Sequence, residues 1–146
     1  MRIKVQRIIK SINNPLPSYS TEHSSGMDIS SASVDEIKIE SMQSKLIPTN
    51  LIIEIPAGYE GQIRPRSGLA INHSIGILNS PGTIDADYRG ELKIILTNFG
   101  KNTFTIRFGD RVAQLVIAKV EKVRLQLTDE ITPTKRSTGG FGHSGI

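Results

Sequence analysis

The sequence predicts an all-β protein of one domain, and two observations support this prediction. Short runs rich in β-branched residues recur along the chain, and their apolar positions follow a period of two rather than 3.6. Proline, glycine and asparagine clusters that favour turns separate these runs. Many short strands at such spacing are typical of a sandwich, a jelly roll or a barrel, and 146 residues is the size of one domain.

The predicted elements follow from these runs in chain order. The first run alternates at Ile3 and Val5, which favours a strand over a basic targeting peptide. A single short helix is expected after Ser67, through residues 69–71. The predicted strands are 3–9, 46–55, 59–64, 92–97, 103–108, 111–120 and 123–127.

Composition excludes several classes of site. The chain has no cysteine, which excludes disulfides, thiolate metal sites and cysteine nucleophiles, and fits a reducing compartment. We therefore expect a cytoplasmic protein, and the lack of any run of about 18 apolar residues predicts no membrane contact. The formal charge of +4 indicates either contact with phosphate or only a mildly basic surface. The three histidines lack metal-ligand spacing.

One segment has the residue types of a phosphate cradle. Arg66 supplies a forked cation, Ser67 a hydroxyl donor, and Gly68 allows close approach of the backbone to an anion. The free N–H groups of a helix beginning here would point at the same place. The alternative is a simple strand-to-helix turn with Ser67 as its N-cap.

A second segment combines a turn with two carboxylates. Asp85 and Asp87 point to the same side of an extended chain, where one acid can act as a general base or the pair can ligate a metal. The ring of Tyr88 can pack on a sugar, and the amide of Asn79 can read the edge of a base. A solvated hairpin turn would also use these residues.

The last eleven residues, 136–146, differ from the domain formed by residues 1–135. They contain four glycines and one large aromatic residue, Phe141. Aromatic faces stack on nucleobases, and Arg136 with the glycine N–H groups can hold phosphates. The segment is therefore either an arm that closes over a nucleotide or a frayed terminus.

Five segments, taken in order, resemble the trimeric deoxyuridine triphosphate nucleotidohydrolases, or dUTPases. They are Gly26-Met27-Asp28, Pro65-Arg66-Ser67-Gly68, Gly82-x-Ile84-Asp85-x-Asp87-Tyr88, Arg111-x-Ala113-Gln114 and Arg136-x-x-Gly139-Gly140-Phe141-Gly142-x-Ser144-Gly145. The resemblance implies a jelly-roll subunit in a homotrimer. It also implies shared sites, with the phosphate cradle, the base-binding hairpin and the C-terminal arm coming from three different subunits.

The resemblance also implies a reaction. Asp85 would deprotonate a water that attacks the α-phosphorus of dUTP, giving dUMP and pyrophosphate, with Mg²⁺ on the triphosphate as cofactor. Asp28 would reach the metal only through a bound water. The reaction would supply dUMP for thymidylate synthesis and keep uracil out of DNA.

The family's binding residues carry over by position. The cradle residues Arg66, Ser67 and Gly68 are similar to its phosphate contacts, and Gln114 to its contact with the α-phosphate or a metal-bound water. Tyr88 would lie under the deoxyribose, and Lys93 would make a further substrate contact. The uracil-reading positions are Asn79, Gly82, Thr83 and Ile84. In the arm, Phe141 would cover the uracil, and the γ-phosphate contacts would be Arg136, Gly140, Ser144 and Gly145.

Three alternatives remain. A dCTP deaminase shares the fold and trimer, but that family tends to have Arg-Ser-Ser in the cradle, where this chain has Arg66-Ser67-Gly68. A nucleic-acid-binding module would need more stacking aromatics than the 5% present. A trimer that has lost catalysis would be missing site residues that this sequence retains. The chain departs from the family pattern at Ser25, Ile29 and Ser137, the last of which stands where glycine is common.

Overall fold

The computed structural model describes residues 1–140 and confirms the all-β class. Within these residues lie twelve short strands and one helix. In chain order the elements are β1 (Lys4–Arg7), β2 (Ser18–Tyr19), β3 (Met27–Ser30), β4 (Ile37–Ile39), β5 (Ser44–Pro48), β6 (Leu51–Glu54), β7 (Tyr59–Arg64), α1 (Ser67–His73), β8 (Ile75–Ile77), β9 (Gly82–Ile84), β10 (Lys93–Asn98), β11 (Phe104–Ile106) and β12 (Arg111–Lys119).

The strands form four antiparallel sheets. The largest has five strands in the order β2-β3-β12-β7-β9, and a second has three in the order β5-β10-β8. Two ribbons, β1-β6 and β11-β4, complete the structure. Most neighbours are far apart in sequence, as expected for a fold built by crossovers rather than by successive hairpins.

One aliphatic core joins the sheets. Alternate residues of the strands face it, as in β10, where Ile94 and Leu96 are buried, and in β6, where Leu51 and Ile53 are buried. The largest fully buried side chains are all isoleucine, leucine or valine. Branched aliphatic side chains pack well on a pleated surface, which explains how a chain poor in aromatic residues builds this core.

Several predicted elements match the structure closely. The prediction for 59–64 has the bounds of β7, and the short helix occurs as α1. Its N-cap is Arg66 rather than Ser67, with extended backbone and no side-chain capping hydrogen bond. No helix among residues 1–140 is long and apolar enough to cross a membrane.

Two strand predictions need correction. The run 46–55 is divided between β5 and β6, which belong to different sheets, because Asn50 adopts a left-handed conformation with φ of 57°. The prediction of a strand over 123–127 is wrong for residues 1–140, since the segment pairs with none of their strands. Its period of two is real, but Leu125 and Leu127 are 95% and 99% exposed.

The five-stranded sheet sets the position of the site residues. In its registers, Gln114 of β12 lies opposite both Asp28 of β3 and Arg64 of β7. On the other side of β7, Ile84 of β9 lies opposite Gly61. The segments that contain Asp28, Arg66 and Gln114 therefore lie at one end of the sheet. The turn that contains Asp85 lies at the other end.

Candidate active site

A buried carboxylate organises one half of the site. Asp28 is 7% exposed on β3, and its Oδ1 accepts a hydrogen bond from Arg66 Nε at 3.1 Å. Its Oδ2 accepts from Arg111 Nη1 at 3.0 Å and from Ser20 Oγ at 3.1 Å. Arg66 Nη1 also donates to the carbonyl oxygen of Arg111 at 3.2 Å. Asp28 thus holds two guanidinium groups side by side at the end of the sheet.

These contacts keep Asp28 ionised. Burial by itself would raise the pKa of its carboxyl group, because a low-dielectric surrounding disfavours the charged form. The charge of Arg66, hydrogen bonds from Ser20 and Gln114, and the charge of Arg111 outweigh burial and lower the pKa below its ordinary value of 3.8. The local charge is one buried anion under two cations, which leaves a net positive surface for an anion such as phosphate.

The remaining predicted cradle residues lie beside this cluster. Ser67 and Gly68 are exposed in the first turn of α1, and a side chain added at Gly68 would contact nothing within 4 Å. Gln114 is half-buried, and it fits beside Gly26 because a β-carbon there would come within 3.1 Å of the β-carbon of Gln114. The backbone at Gly68 is therefore open to a ligand, whereas Gly26 makes room for a neighbouring side chain.

The second half of the site is a cleft beside β9. It encloses about 400 Å³ and is lined by Leu46, Thr83, Ile84, Asp85, Tyr88, Glu91, Lys93 and Ile95. Asp85 is exposed, and its carbonyl oxygen accepts a hydrogen bond from the N–H of Tyr88 at 3.1 Å. Arg89 Nη1 donates to the carbonyl oxygens of Ala86 and Tyr88, which closes the turn on itself.

The segment that precedes β9 leads into the cleft. The peptide bond between Ser80 and Pro81 is cis, and it leads directly into β9. A β-carbon at Gly82 would lie 3.1 Å from Asn79 Nδ2. The amide of Asn79 therefore packs against the backbone at Gly82, so two of the four residues predicted to read a base are adjacent.

The Asp28 cluster and the cleft beside β9 are far apart in space within one chain. Gln114 faces Arg64 on β7, whereas Asp85 follows Ile84, which faces Gly61 on the same strand. Four residues along the strand and two strand spacings across it place Gln114 and Asp85 roughly 17 Å apart. Side chains stand nearly perpendicular to a sheet and do not close such a gap.

The predicted arm residues are only partly described. Arg136 Nε donates to the carbonyl oxygen of Gly139 at 2.8 Å, so this guanidinium bonds within its own segment. Ser137 has φ of 44°, in the left-handed region that favours glycine. Gly140 is half-buried, and Phe141, Ser144 and Gly145 lie outside the described residues.

Three contributors to the site were not among the predicted site residues. Arg111 and Ser20 bind Asp28, and the Glu91 carboxylate lies 3.4 Å from Lys93 Nζ. Arg111 begins the segment Arg111-x-Ala113-Gln114, and this segment is the feature of the sequence that could have pointed to it. Ser20 reaches Asp28 because β2 pairs with β3, and the two-residue strand β2 leaves no recognisable pattern in the sequence.

The side chains of residues 1–140 fit a Mg²⁺ ion that they contact through its bound waters and do not ligate directly. Residues 1–140 contain no group of three or more acidic or histidine side chains placed to hold a metal. The two oxygens of Asp28 already accept hydrogen bonds from Arg66, Arg111 and Ser20, and Gln114 is a further donor, so they have little capacity left to ligate a metal directly. Mg²⁺ commonly keeps several waters and binds substrate phosphates, which is compatible with a water-mediated contact to Asp28.

The sequence model of the dUTPase family matches residues 13–145. The chain belongs to the dUTPase family. A Rickettsia felis protein named deoxyuridine 5'-triphosphate nucleotidohydrolase is 48% identical over 145 residues, which are 99% of this chain and 97% of that protein. The match covers all five segments from which the resemblance was drawn.

Solved dUTPase structures share the fold. A variant dUTPase of Staphylococcus bacteriophage 80alpha, solved with dUpNHpp, has 26% sequence identity and a TM-score of 0.90, with 99% of each chain covered. A variant dUTPase from phage phi11 of S. aureus, described as revealing the coordination of a structural Mg(II) ion, has a TM-score of 0.80 at 26% identity. That match covers 89% of this chain and 98% of the phage chain. The jelly-roll prediction is thereby confirmed.

Proposed function

We propose that this dUTPase-family chain hydrolyses dUTP to dUMP and pyrophosphate. The observation that carries the proposal is the pairing of a cleft containing Asp85 and Tyr88 with a cationic cluster built on Asp28. The cleft has the groups needed to bind a nucleoside and to activate a water. The cationic cluster has the groups needed to bind a polyphosphate. A relative named for this activity at 48% identity, and a phage relative solved with the dUTP analogue dUpNHpp, support the proposal.

The cleft beside β9 would bind the nucleoside. The amide of Asn79 and the backbone of Gly82, Thr83 and Ile84 would hydrogen bond the edge of uracil. A tight hairpin rejects the methyl group of thymine by its shape, and donors aimed at a carbonyl reject the amino group of cytosine. The Tyr88 ring would pack under deoxyribose and crowd the 2′-hydroxyl of a ribose.

Asp85 would act as the general base. It would take a proton from a water, and the water oxygen would form a bond to the α-phosphorus as the bond to the pyrophosphate oxygen breaks. The exposed carboxylate is accessible to such a water. A positioned base commonly contributes about 10²–10⁴-fold to a rate.

The cationic cluster would hold the phosphate chain. Arg66 offers a forked donor, Ser67 and Gly68 offer a hydroxyl and an open backbone, and Gln114 would contact the α-phosphate. Lys93 would contribute positive charge at the rim of the cleft. Mg²⁺, when bound, would neutralise charge on the triphosphate and favour one conformer of it, and Asp28 would face it through water.

The distance between the two halves supports sites shared between copies. Because Gln114 and Asp85 lie roughly 17 Å apart along one sheet, we propose that a dUTP bridges the cradle of one subunit and the cleft of another in a homotrimer. The exposed alternating residues Val123, Leu125 and Leu127 provide an apolar surface that such an assembly would cover. The arm, residues 136–146, would then complete a site on a neighbouring subunit, with Phe141 over uracil and Ser144 and Gly145 at the γ-phosphate.

The reaction would supply dUMP for thymidylate synthesis and lower the dUTP available for incorporation into DNA. The test is a product assay with Mg²⁺ and dUTP, dCTP, dTTP and UTP in parallel, read by chromatography and pyrophosphate release. Pyrophosphate from dUTP alone is the expected result. Formation of dUTP from dCTP would instead identify a deaminase, and turnover of none of the four would contradict the proposal.

Asp85→Asn is the variant that tests the mechanism. The amide cannot accept a proton from water, so turnover should fall by about 10²–10⁴-fold, while dUpNHpp binding should change little because size and shape are kept. Single-turnover kinetics and calorimetry measure the two quantities. Asp35→Asn, an exposed acid that neither lines the cleft nor bonds to Asp28, is the matched control. Wild-type turnover in Asp85→Asn would exclude Asp85 as the base.

A further inference from the structure

The ring of Tyr88 lies directly over Gly90. A β-carbon added at Gly90 would lie 2.5 Å from Tyr88 Cζ and 2.9 Å from Cε2, and it would overlap the phenol oxygen. Such distances are below any ordinary van der Waals contact. The backbone of Gly90 is outside the left-handed region, so other residues could adopt its conformation. Glycine at this position therefore leaves room for the ring in its observed place, and the backbone by itself does not call for glycine.

A hydrogen bond ties the ring in this orientation. Tyr88 Oη donates to the carbonyl oxygen of Glu91 at 3.1 Å. The side chain is 44% exposed, so packing alone leaves it free to take other rotamers. The space at Gly90 and the carbonyl of Glu91 together define one ring position beside Asp85 in the cleft.

Glu91 is held by contacts with the turn between β5 and β6. Its Oε1 accepts from the backbone N–H of Asn50 at 2.9 Å, and its Oε2 pairs with Lys93 Nζ at 3.4 Å. The next residue, Leu92, donates its N–H to the carbonyl oxygen of Leu51 at 2.8 Å. These contacts fix the carbonyl of Glu91 relative to the β5–β6 turn.

The β5–β6 turn is fixed in its own right. Asn50 Oδ1 accepts from the N–H of Ile9 at 2.8 Å, and Asn50 Nδ2 donates to the carbonyl oxygen of Ile9 at 3.0 Å. Asn50 is 5% exposed. The support of the Tyr88 ring therefore extends from the cleft into the buried polar contacts of the N-terminal segment.

We propose that Gly90 and Glu91 are positioning residues that fix the ring of Tyr88 and so set the discrimination between deoxyribose and ribose. The inference rests on the proposed function, in which this ring packs under the sugar. A ring held in one place leaves no room for a 2′-hydroxyl, whereas a ring that can swing outward admits it. Neither residue touches the reacting atoms.

Gly90→Ala tests the proposal with dUTP and UTP as substrates. The new methyl group should displace the ring, and the ratio of kcat/KM for dUTP to that for UTP should fall by about tenfold or more, as for loss of one shape contact in a pocket. An unchanged ratio would overturn the proposal. Wild-type protein that turns over no dUTP would instead refute the proposed function, so the two failures are distinct.

A double-mutant cycle separates this role from a general effect on folding. In a Tyr88→Ala background there is no ring to displace, so adding Gly90→Ala should leave the ratio unchanged. A further fall of the same size in that background would show that Gly90 acts by another route, and the proposal would be wrong.

Glu91 provides a second, independent readout. Glu91→Gln keeps an acceptor for the N–H of Asn50 and should retain the ratio, whereas Glu91→Ala should lower it. Equal ratios in these two variants would contradict the role of Glu91. If Gly90→Ala does not fold, Tyr88→Phe removes only the phenol hydrogen bond and should still lower the ratio. A wild-type ratio in Tyr88→Phe would overturn the proposal.

Discussion

Asp28 shows how one buried side chain can bring cationic groups together. Its two oxygens receive Arg66, Arg111 and Ser20 from three separate parts of the chain. A buried carboxylate would be costly without these donors, and two adjacent guanidinium groups would repel each other without the carboxylate. We therefore interpret Asp28 first as the residue that positions Arg66.

Asp28→Asn should destabilise the fold in a pH-dependent way. The substitution removes the charge that pairs with Arg66, and we expect a loss of about 1–3 kcal/mol in the free energy of unfolding near pH 7. Arg111 contributes little to this loss because its side chain is 57% exposed. Urea denaturation of wild type and variant at several pH values measures the difference.

The sign of the pH dependence follows from the lowered pKa. Because the folded-state pKa of Asp28 is below its ordinary 3.8, its contribution is fully present above that value. It is lost as pH falls through the folded-state pKa. The gap between wild type and Asp28→Asn should therefore be constant from about pH 7 to pH 5 and shrink below about pH 4. A gap that grows on acidification would contradict this assignment.

At the scale of elements, β7 connects the two halves of the site. It pairs with β12, which carries Gln114, and with β9, which leads to Asp85. Gly61, in the middle of β7, is buried, and a β-carbon there would lie 2.9 Å from Ile55 Cδ1, 3.0 Å from Leu115 Cδ1 and 3.2 Å from Ile84 Cβ. This glycine allows β9 and the core to pack closely on β7.

Gly61→Ala should destabilise the protein through overpacking. Ile55 and Leu115 are each 2% exposed and belong to the aliphatic core, so we expect a loss of about 1–3 kcal/mol. A weaker affinity for dUTP should accompany it as β9 shifts. Chemical denaturation and KM measure the two effects.

Gly76→Ala is the matched control for Gly61→Ala. A β-carbon at Gly76 would meet only the ring of Phe99, at 2.9 Å from Cε2, and that side chain is 52% exposed and free to turn away. The control should therefore cost much less stability than Gly61→Ala. Equal costs would show that close packing at β7 is not the cause.

At the scale of the whole molecule, the separation of Asp85 from the cradle predicts complementation between inactive variants. Under the proposal of shared sites, Asp85→Asn and Arg66→Ala should each be inactive when refolded alone. After co-refolding in equal amounts, about a quarter of the sites would combine an intact Asp85 with an intact Arg66 from another copy. dUTP turnover of the mixture, compared with each variant refolded alone, measures this recovery.

The complementation experiment has clear controls. Light scattering and circular dichroism should first show that both variants fold and assemble like wild type. Mixing without refolding should give less recovery, because subunits must exchange to form mixed trimers. No recovery from properly mixed trimers would indicate that each site lies within one chain, which would refute the shared-site proposal.

The sequence alone determined the all-β class, the bounds of β7 and the family. Period-two alternation and turn residues are local properties, so they can be read without knowing partners. The segments around Asp28, Arg66 and Asp85 carry short patterns of residue types, and the family match of residues 13–145 agrees with them. These features depend on residues close together in the chain.

The tertiary structure decided what depends on distant neighbours. Segment 123–127 has strand periodicity but pairs with no strand among residues 1–140, because a strand forms only where the fold places a partner strand beside it. Ser20 reaches Asp28 only through the pairing of β2 with β3, and Asn50 reaches Glu91 from another part of the chain. No local pattern encodes such contacts, since they arise from packing between elements far apart in sequence.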